Sequence, residues 1–214
     1  MTVKISPRVA AILDTAASPG EAAKLWLAAL EGDADAARTL IDRLSKRNRA
    51  RLVVEIGHAK VVPAVLRAAL QAAWTSDHAL LLAACPPGRL KQLFERAQFD
   101  TSHLPERLTI WRGSRARMTD AARGLAWSKS RERAAWIALW EGRISGGRVL
   151  PPPHSGKPIV IRAEIDRANV LAAFIGGGDT EIVIAPPVAA MIDTDDEDEL
   201  TKLARRAGPL SLRS

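Results

Sequence analysis

The spacing of apolar residues changes abruptly at Leu104-Pro105, and this change constrains the fold more than any other feature of the sequence. Before it, apolar residues recur every three to four positions, which is typical of amphipathic helices. After it, short runs of β-branched and aromatic residues indicate strands. The sequence therefore predicts an α+β protein with a helical N-terminal region at 1–103, a strand-rich core at 104–192, and an acidic run with a C-terminal tail at 193–214.

Local signals predict where several helices of the first half begin. Ser18-Pro19-Gly20-Glu21 has the pattern of a capping box, in which Ser18 caps the helix and Glu21 reaches back to it. Asp33 is a second predicted N-cap, and Pro63 opens a longer apolar run. We expect a helix to begin at each of these three positions.

The second half alternates between strands and shorter helical segments. Helical spacing predicts a helix at 131–140 and one or two helical turns at 169–174. A segment rich in glycine and proline, 145–158, is expected to be a loop, and glycines 176–178 a flexible break. Strands are predicted at 108–111, 125–128, 159–165, 180–185 and 188–192.

The charge is unevenly distributed along the chain. The 214 residues carry a formal net charge of +7, yet residues 193–199 contain six acidic residues and no basic one. Outside this run, 31 lysines and arginines face 18 acidic residues, so the remainder carries +13. Such a surface favours a partner that carries phosphate, such as a nucleotide, a dinucleotide or a nucleic acid.

Other features limit the location and the chemistry. No apolar run approaches the roughly 20 residues of a spanning helix, and the apolar run at 9–13 is too short for a signal peptide. We therefore expect a cytoplasmic protein without a membrane partner, although secretion without a cleavable signal stays open. Cys85 is the only cysteine and the four histidines lie far apart, so we expect neither an internal disulfide nor a metal site.

Three segments of the second half carry a family resemblance, whereas the Gly-x-Gly-x-x-Gly, P-loop and Gly-x-Ser-x-Gly motifs are absent. The segments are 109–113 (Thr-Ile-Trp-Arg-Gly), 124–130 (Gly-Leu-Ala-Trp-Ser-Lys-Ser) and 178–184 (Gly-Asp-Thr-Glu-Ile-Val-Ile). In this order they resemble the ADP-ribosyltransferases of the arginine–serine–glutamate type, which include cholera-like toxins and phage-encoded transferases. In that family an arginine ends the first strand, a Ser-Thr-Ser motif ends the second, and a glutamate opens a later strand.

The resemblance implies a role for each matching residue. Arg112 would bind the NAD phosphates, because a guanidinium is planar, permanently charged and able to bind two oxygens. Glu181 would hydrogen-bond the ribose 2′-hydroxyl and stabilise the positive charge that develops at C1′ as the glycosidic bond breaks. Ser128 would orient that carboxylate, and a tryptophan would line the nicotinamide pocket. The other members of the expected NAD-binding set are Gly113, Trp127, Ser130 and Trp136.

The chain departs from the family pattern at two positions. The middle residue of the serine motif is Lys129 rather than threonine, and the residue two before Glu181 is Asp179, where the family often has glutamate or glutamine. In the family that residue faces the incoming nucleophile, so Asp179 is the expected acceptor-facing group and arginine the favoured acceptor. Tyrosine is entirely absent, which excludes the histidine–tyrosine–glutamate branch of the transferases.

Each of these residues also has a purely structural explanation. Arg112 could be one of many solvated arginines, and the two serines could cap the helix that follows them. The tryptophans could pack in the core, and Asp179 could terminate a glycine-rich turn. Glu181 is the hardest to explain structurally, because it enters an apolar strand.

The sequence thus predicts an NAD-dependent mono-ADP-ribosyltransferase, an enzyme of the glycosyltransferase class that uses NAD as a substrate and needs no metal. The phage-encoded members of the family imply a host protein of the bacterial cytoplasm as the acceptor, in the manner of an effector. Two alternatives stay open. One is an NAD glycohydrolase on the same fold, and the other is a non-enzymatic basic protein that binds nucleic acid.

Overall fold

The computed structural model describes residues 5–140, 156–176 and 179–207. These residues form nine α-helices and one six-stranded antiparallel sheet, with most of the helices N-terminal to the strands. The predicted α+β class is confirmed. Backbone contacts divide the chain into two compact units, Met1–Phe99 and Asp100–Ser214. None of the described helices is both long enough and apolar enough to cross a membrane.

The first unit is helical, and its large buried side chains form an apolar core. Trp74 is one of the largest of these side chains, and its ring lies edge-on to Phe94 at 5.0 Å between centroids. The longest helix contains a non-helical residue, Asp77, at which it bends. The helices are α1 (Pro7–Leu13), α2 (Pro19–Leu30), α3 (Ala34–Asp42), α4 (Lys46–His58), α5 (Pro63–Ala84) and α6 (Pro87–Ala97).

The predicted helix starts are confirmed, but one of the capping contacts is not. Asp33 accepts a hydrogen bond from the Ala36 amide at 2.9 Å, as an N-cap does. Ser18 occupies the N-cap position of α2 but makes no side-chain capping bond. Glu21 instead pairs with Arg43 at 2.7 Å, so the predicted capping box is wrong. The Arg43 guanidinium, rather than the backbone amide of Ser18, is the partner of the Glu21 carboxylate.

The second unit is built around the sheet, whose strands lie in the order β4-β5-β2-β1-β3-β6. Three helices accompany it: α7 (Met118–Ala121), α8 (Arg131–Trp140) and α9 (Glu197–Arg206). The strands are β1 (Arg107–Ser114), β2 (Ala126–Ser128), β3 (Ile159–Asp166), β4 (Val170–Gly176), β5 (Asp179–Ile184) and β6 (Ala190–Thr194).

The two faces of the sheet bury different sets of side chains. One face holds an apolar cluster that includes Ile110, Trp127 and Ile182. The other face, here called the α8 face, packs against α8 and α9 through a cluster of small and branched residues. Gly113 allows this close packing, because a Cβ atom at this position would collide with the carbonyl oxygen of Ala134 in α8.

The structure contradicts one of the predicted elements. Residues 169–174 were predicted as helical turns, but Val170–Gly176 is strand β4 and pairs with β5. The side chains of β4 alternate between buried and less buried, and pairing with β5 stabilises this alternating pattern more than an isolated helical turn would.

The acidic run 193–199 belongs to the end of β6 and the start of α9 rather than to a tail. Residues 145–155 of the predicted loop and 177–178 of the predicted break lie outside the described residues.

Candidate active site

Ser128 and Glu181 are direct neighbours across two strands. Ser128 on β2 is the pairing partner of Trp111 on β1 and of Glu181 on β5, and Glu181 in turn pairs with Phe174 on β4. Directly opposed residues of antiparallel strands project from the same face of a sheet. The four side chains therefore form a row across the α8 face, and the structure brings together the serine and the glutamate on which the family resemblance depends.

The Ser128 hydroxyl is buried and firmly held. Its side chain is 4% exposed, and its Oγ lies 2.5 Å from Oδ2 of Asp179. It also accepts a hydrogen bond from the Ser130 amide at 2.8 Å and lies 2.9 Å from the Ser130 carbonyl oxygen. Because a hydroxyl carries one proton, we assign that proton to the shorter, charge-assisted contact with the carboxylate.

Asp179 therefore contacts the serine motif. Its Oδ2 accepts from Ser128 and its Oδ1 accepts from the Thr180 amide at 2.7 Å, so both carboxylate oxygens bind groups of this chain. The pairing of β2 with β5 continues one residue further, since the Lys129 amide donates to the Thr180 carbonyl at 3.0 Å. This register brings Ser130 opposite Asp179. The expected acceptor-facing residue is thus held within the chain in this structure.

Ser130 starts helix α8 and connects a further carboxylate to the site. Its Oγ accepts from the Arg133 amide at 3.0 Å, as a capping serine does, and donates to Oε2 of Glu132 at 3.1 Å. Glu132 was not among the predicted site residues. Its position two residues after a capping serine, where helices favour acidic groups, is the sequence signal that could have found it. We refer to Ser128, Ser130, Glu132, Asp179 and Glu181 as the serine–carboxylate cluster.

Arg112 lies on the other face of strand β1, because neighbouring residues of a strand project to opposite faces and Trp111 belongs to the row described above. Its Nη1 donates to the carbonyl oxygen of Ala126, two residues before Ser128. Gly124 leaves room for the guanidinium, since a Cβ atom there would collide with it. The structure therefore brings Arg112 to the backbone of the serine strand.

The two predicted tryptophans lie on different faces of the sheet. Trp127 is 2% exposed, packs in the apolar cluster opposite the α8 face, and donates its indole N–H to the Gly124 carbonyl at 2.9 Å. Trp136 lies on α8 beneath the Arg133 guanidinium, which is 4.7 Å from its ring centroid. Trp127 is thus a core residue that the structure does not bring to the cluster. Trp111, which was not predicted, is the tryptophan that lies beside Ser128.

Two residues of the acidic run bind the first residue of α8. Arg131 donates to Asp193 at 2.5 Å and to Glu199 at 2.9 Å, and its hydrogen bond with Asp193 is the main cause that raises the pKa of the Arg131 guanidinium. Hydrogen bonds from Thr194 and then from Arg131 lower the pKa of Glu199. These contacts attach β6 and α9 to the residue that follows Ser130, so part of the acidic run supports the site.

Two cavities among the described residues are lined by side chains outside this cluster. A cavity of about 320 Å³ is lined by Arg107, Asp166 and Asn169 among others, and none of its lining residues is a predicted site residue. Within the described ranges, no group of three or more histidine, cysteine or acidic side chains could hold a metal ion. Comparison of the chain with protein-family models, with curated proteins and with solved structures found no match.

Proposed function

We propose that this protein is an NAD-dependent mono-ADP-ribosyltransferase that transfers ADP-ribose from NAD to a macromolecular acceptor. The observation that carries the proposal is the direct pairing of Ser128 with Glu181, beside Asp179 on the same face of the sheet. Ser128 and Asp179 are 51 residues apart in sequence, so their contact depends on the fold and not on local structure. The arrangement is the one that the resemblance to the arginine–serine–glutamate transferases requires of its serine and its glutamate.

Glu181 has the chemistry that cleavage of NAD needs. When the bond between C1′ and the nicotinamide nitrogen breaks, the electron pair leaves with nicotinamide and positive charge develops on the ribose. Glu181 is half-buried beside the buried Ser128, and a carboxylate in such surroundings stabilises that charge more strongly than one in water. A nucleophile of the acceptor then bonds to C1′ and loses its proton.

Two cations have separate roles in this proposal. Arg112 donates to the Ala126 carbonyl and thereby holds strand β2, which carries the serine motif. Lys129 is exposed between the two serines and adds a positive charge near the site, which favours the approach of the negatively charged NAD phosphates. Direct contact of Arg112 with the phosphates is the role implied by the resemblance, and the proposal does not depend on it.

The favoured acceptor is a cationic side chain, arginine above all, on a host protein. Glu132, Asp179 and Glu181 give the cluster three carboxylates around two serines. Such a group of carboxylates attracts a guanidinium and can bind it with charge-assisted hydrogen bonds. The acceptor assignment therefore rests on the whole cluster rather than on Asp179 alone.

The test is incubation of the full chain with NAD labelled in the adenine moiety, with and without a bacterial lysate. Glu181→Gln is the informative variant, because glutamine has nearly the same shape but no charge. Glu164→Gln is the matched control, since Glu164 is an exposed glutamate on strand β3 of the same sheet. We expect label to enter protein with the wild type and with the control, and not with Glu181→Gln.

The other outcomes separate the alternatives. Release of free ADP-ribose without labelled macromolecules would make the protein an NAD glycohydrolase. Label in nucleic acid would keep the transferase and replace the acceptor. Intact NAD under all conditions would overturn the proposal.

A further inference from the structure

Two residues with carboxylate side chains flank Ser128: Asp179, which its hydroxyl contacts, and Glu181, its partner on strand β5. The Ser128 hydroxyl carries a single proton, and that proton is directed to Asp179 at 2.5 Å. Glu181, the group expected to break the NAD bond, is the direct cross-strand partner of the same serine. Opposed side chains of this kind have Cβ atoms about 4.5–5.5 Å apart, so Glu181 is the second carboxylate residue beside Ser128 and the alternative acceptor for its proton.

The contact with Asp179 is well fixed. The Thr180 amide binds the second oxygen of Asp179 at 2.7 Å, which holds the carboxylate in place. Ser128 is 4% exposed, so bulk water does not compete for its proton. The Ser130 amide binds the serine oxygen itself at 2.8 Å and limits its movement. In this state Ser128 cannot donate to Glu181.

We infer that Asp179 is a positioning residue that withholds the Ser128 hydroxyl from Glu181 and so slows the hydrolysis of NAD when no acceptor is bound. The inference rests on the proposed function and adds a form of control to it. A hydroxyl that donates to Glu181 fixes the direction of that carboxylate, and removal of Asp179 makes the hydroxyl available for this. The loss of Asp179 therefore accelerates hydrolysis, whereas a merely structural residue would slow the reaction when lost.

The first test compares acceptor-free NAD hydrolysis by four proteins: wild type, Asp179→Ala, Ser128→Ala and the double variant. We expect kcat for hydrolysis to rise about tenfold in Asp179→Ala, with KM for NAD little changed, because one hydrogen bond to a charged group is gained at Glu181. The two proteins that lack Ser128 should hydrolyse NAD at equal, low rates. A fall in kcat in Asp179→Ala, or an increase that persists without Ser128, would overturn the inference.

The second test does not depend on activity. Crystal structures of the wild type and of Asp179→Ala show which group accepts from Ser128 Oγ. We expect Asp179 in the wild type and a Glu181 oxygen within hydrogen-bond distance in the variant. A hydroxyl that turns to the Ser130 carbonyl in the variant contradicts the inference. If none of the four proteins consumes NAD, the proposed function fails, and the crystal structures still decide whether Asp179 holds Ser128 away from Glu181.

Discussion

The two units of the molecule use their polar side chains differently. In the helical unit, Arg49, Arg67 and Arg96 donate to carbonyl oxygens near helix ends, where the backbone leaves acceptors unsatisfied. Both units also contain side-chain pairs that join separate elements, but their burial differs. In the helical unit the Glu21–Arg43 pair is exposed, whereas in the sheet unit the contacts of Ser128 with Asp179 and of Arg131 with Asp193 involve buried or partly buried side chains.

The difference in burial agrees with a location of the proposed chemistry in the sheet unit. Among the described residues, the buried polar side chains are Ser128 and Thr194, and both belong to the sheet unit. An arginine that satisfies carbonyl groups contributes to stability, whereas a buried hydroxyl that binds a carboxylate is costly to assemble. Under the proposed function, we expect substitutions in the serine–carboxylate cluster to change NAD turnover and those in the helical unit to change stability alone.

The largest expected effect is at Glu181. Glu181→Gln should lower NAD turnover about a hundredfold or more, the scale of removing one electrostatic stabiliser of the transition state. Because the amide is nearly isosteric, the thermal unfolding midpoint should change little. Initial rates and a melting curve measure both quantities. Full NAD turnover by Glu181→Gln would show that Glu181 has no part in the mechanism. The proposed difference in function between the two units would then lose its main support.

The second-largest effect is expected at Gly113, the glycine that allows α8 to approach the sheet. Gly113→Ala should destabilise the protein by about 1–3 kcal/mol, the usual cost of overpacking, because the new methyl group collides with the Ala134 carbonyl. Gly20→Ala is the matched control in helix α2, where no atom lies within 4 Å of the added Cβ and alanine should stabilise by about 0.5–1 kcal/mol. Urea denaturation of both variants checks the two signs. Equal effects would show that α8 does not approach β1 as closely as described.

A smaller effect is expected at Arg112. Arg112→Lys keeps the charge but loses the guanidinium that donates to Ala126 beside Gly124, so strand β2 should be held less firmly. We expect KM for NAD to rise about tenfold, the equivalent of one lost hydrogen bond to a charged group. Arg117→Ala is the control, since Arg117 is exposed and contacts only a nearby surface carboxylate among the described side chains, that of Asp120. Identical kinetics in the two variants would point to a diffuse basic patch.

In the helical unit, Arg96→Leu should lower the free energy of unfolding by about 1 kcal/mol, the typical value of a hydrogen bond. Arg96 donates to the carbonyl oxygens of Gly57 and Ala59 at the end of α4, which would lose these donors. Lys24→Leu serves as a control on an exposed position of α2. Denaturant titration measures the free energy of unfolding. An unchanged kcat for NAD would support the expectation that the helical unit contributes stability and not catalysis. A loss of turnover in Arg96→Leu would contradict it.

The smallest effect concerns pH. The folded protein lowers the pKa of Glu199 through hydrogen bonds from Thr194 and Arg131, so this group contributes stability above its unfolded pKa and loses it as the pH falls through the folded value. The difference in melting temperature between wild type and Glu199→Gln should therefore be present near neutral pH and shrink below about pH 4.5. Melting curves at several pH values test this. A difference that grows on acidification would contradict the assignment.

Sequence reasoning succeeded where the determining interactions are local. Asp33 caps α3, Pro63 begins α5, and the helix predicted at 131–140 has the observed bounds Arg131–Trp140. Capping groups, proline and helical spacing act within a few residues, so the sequence reports them directly. The prediction at 169–174 was wrong because the alternating side chains of β4 gain their stability from β5, which local periodicity does not reveal.

The candidate site divides in the same way. The order of arginine, serines and glutamate was visible in the sequence, and so was the strand that Glu181 enters. Only the tertiary structure decided that Ser128 donates to Asp179 and that Arg131 binds Asp193, 62 residues away. It also decided that Arg112 projects from the opposite face to Ser128, because strand register, and not residue type, sets the face on which a side chain lies.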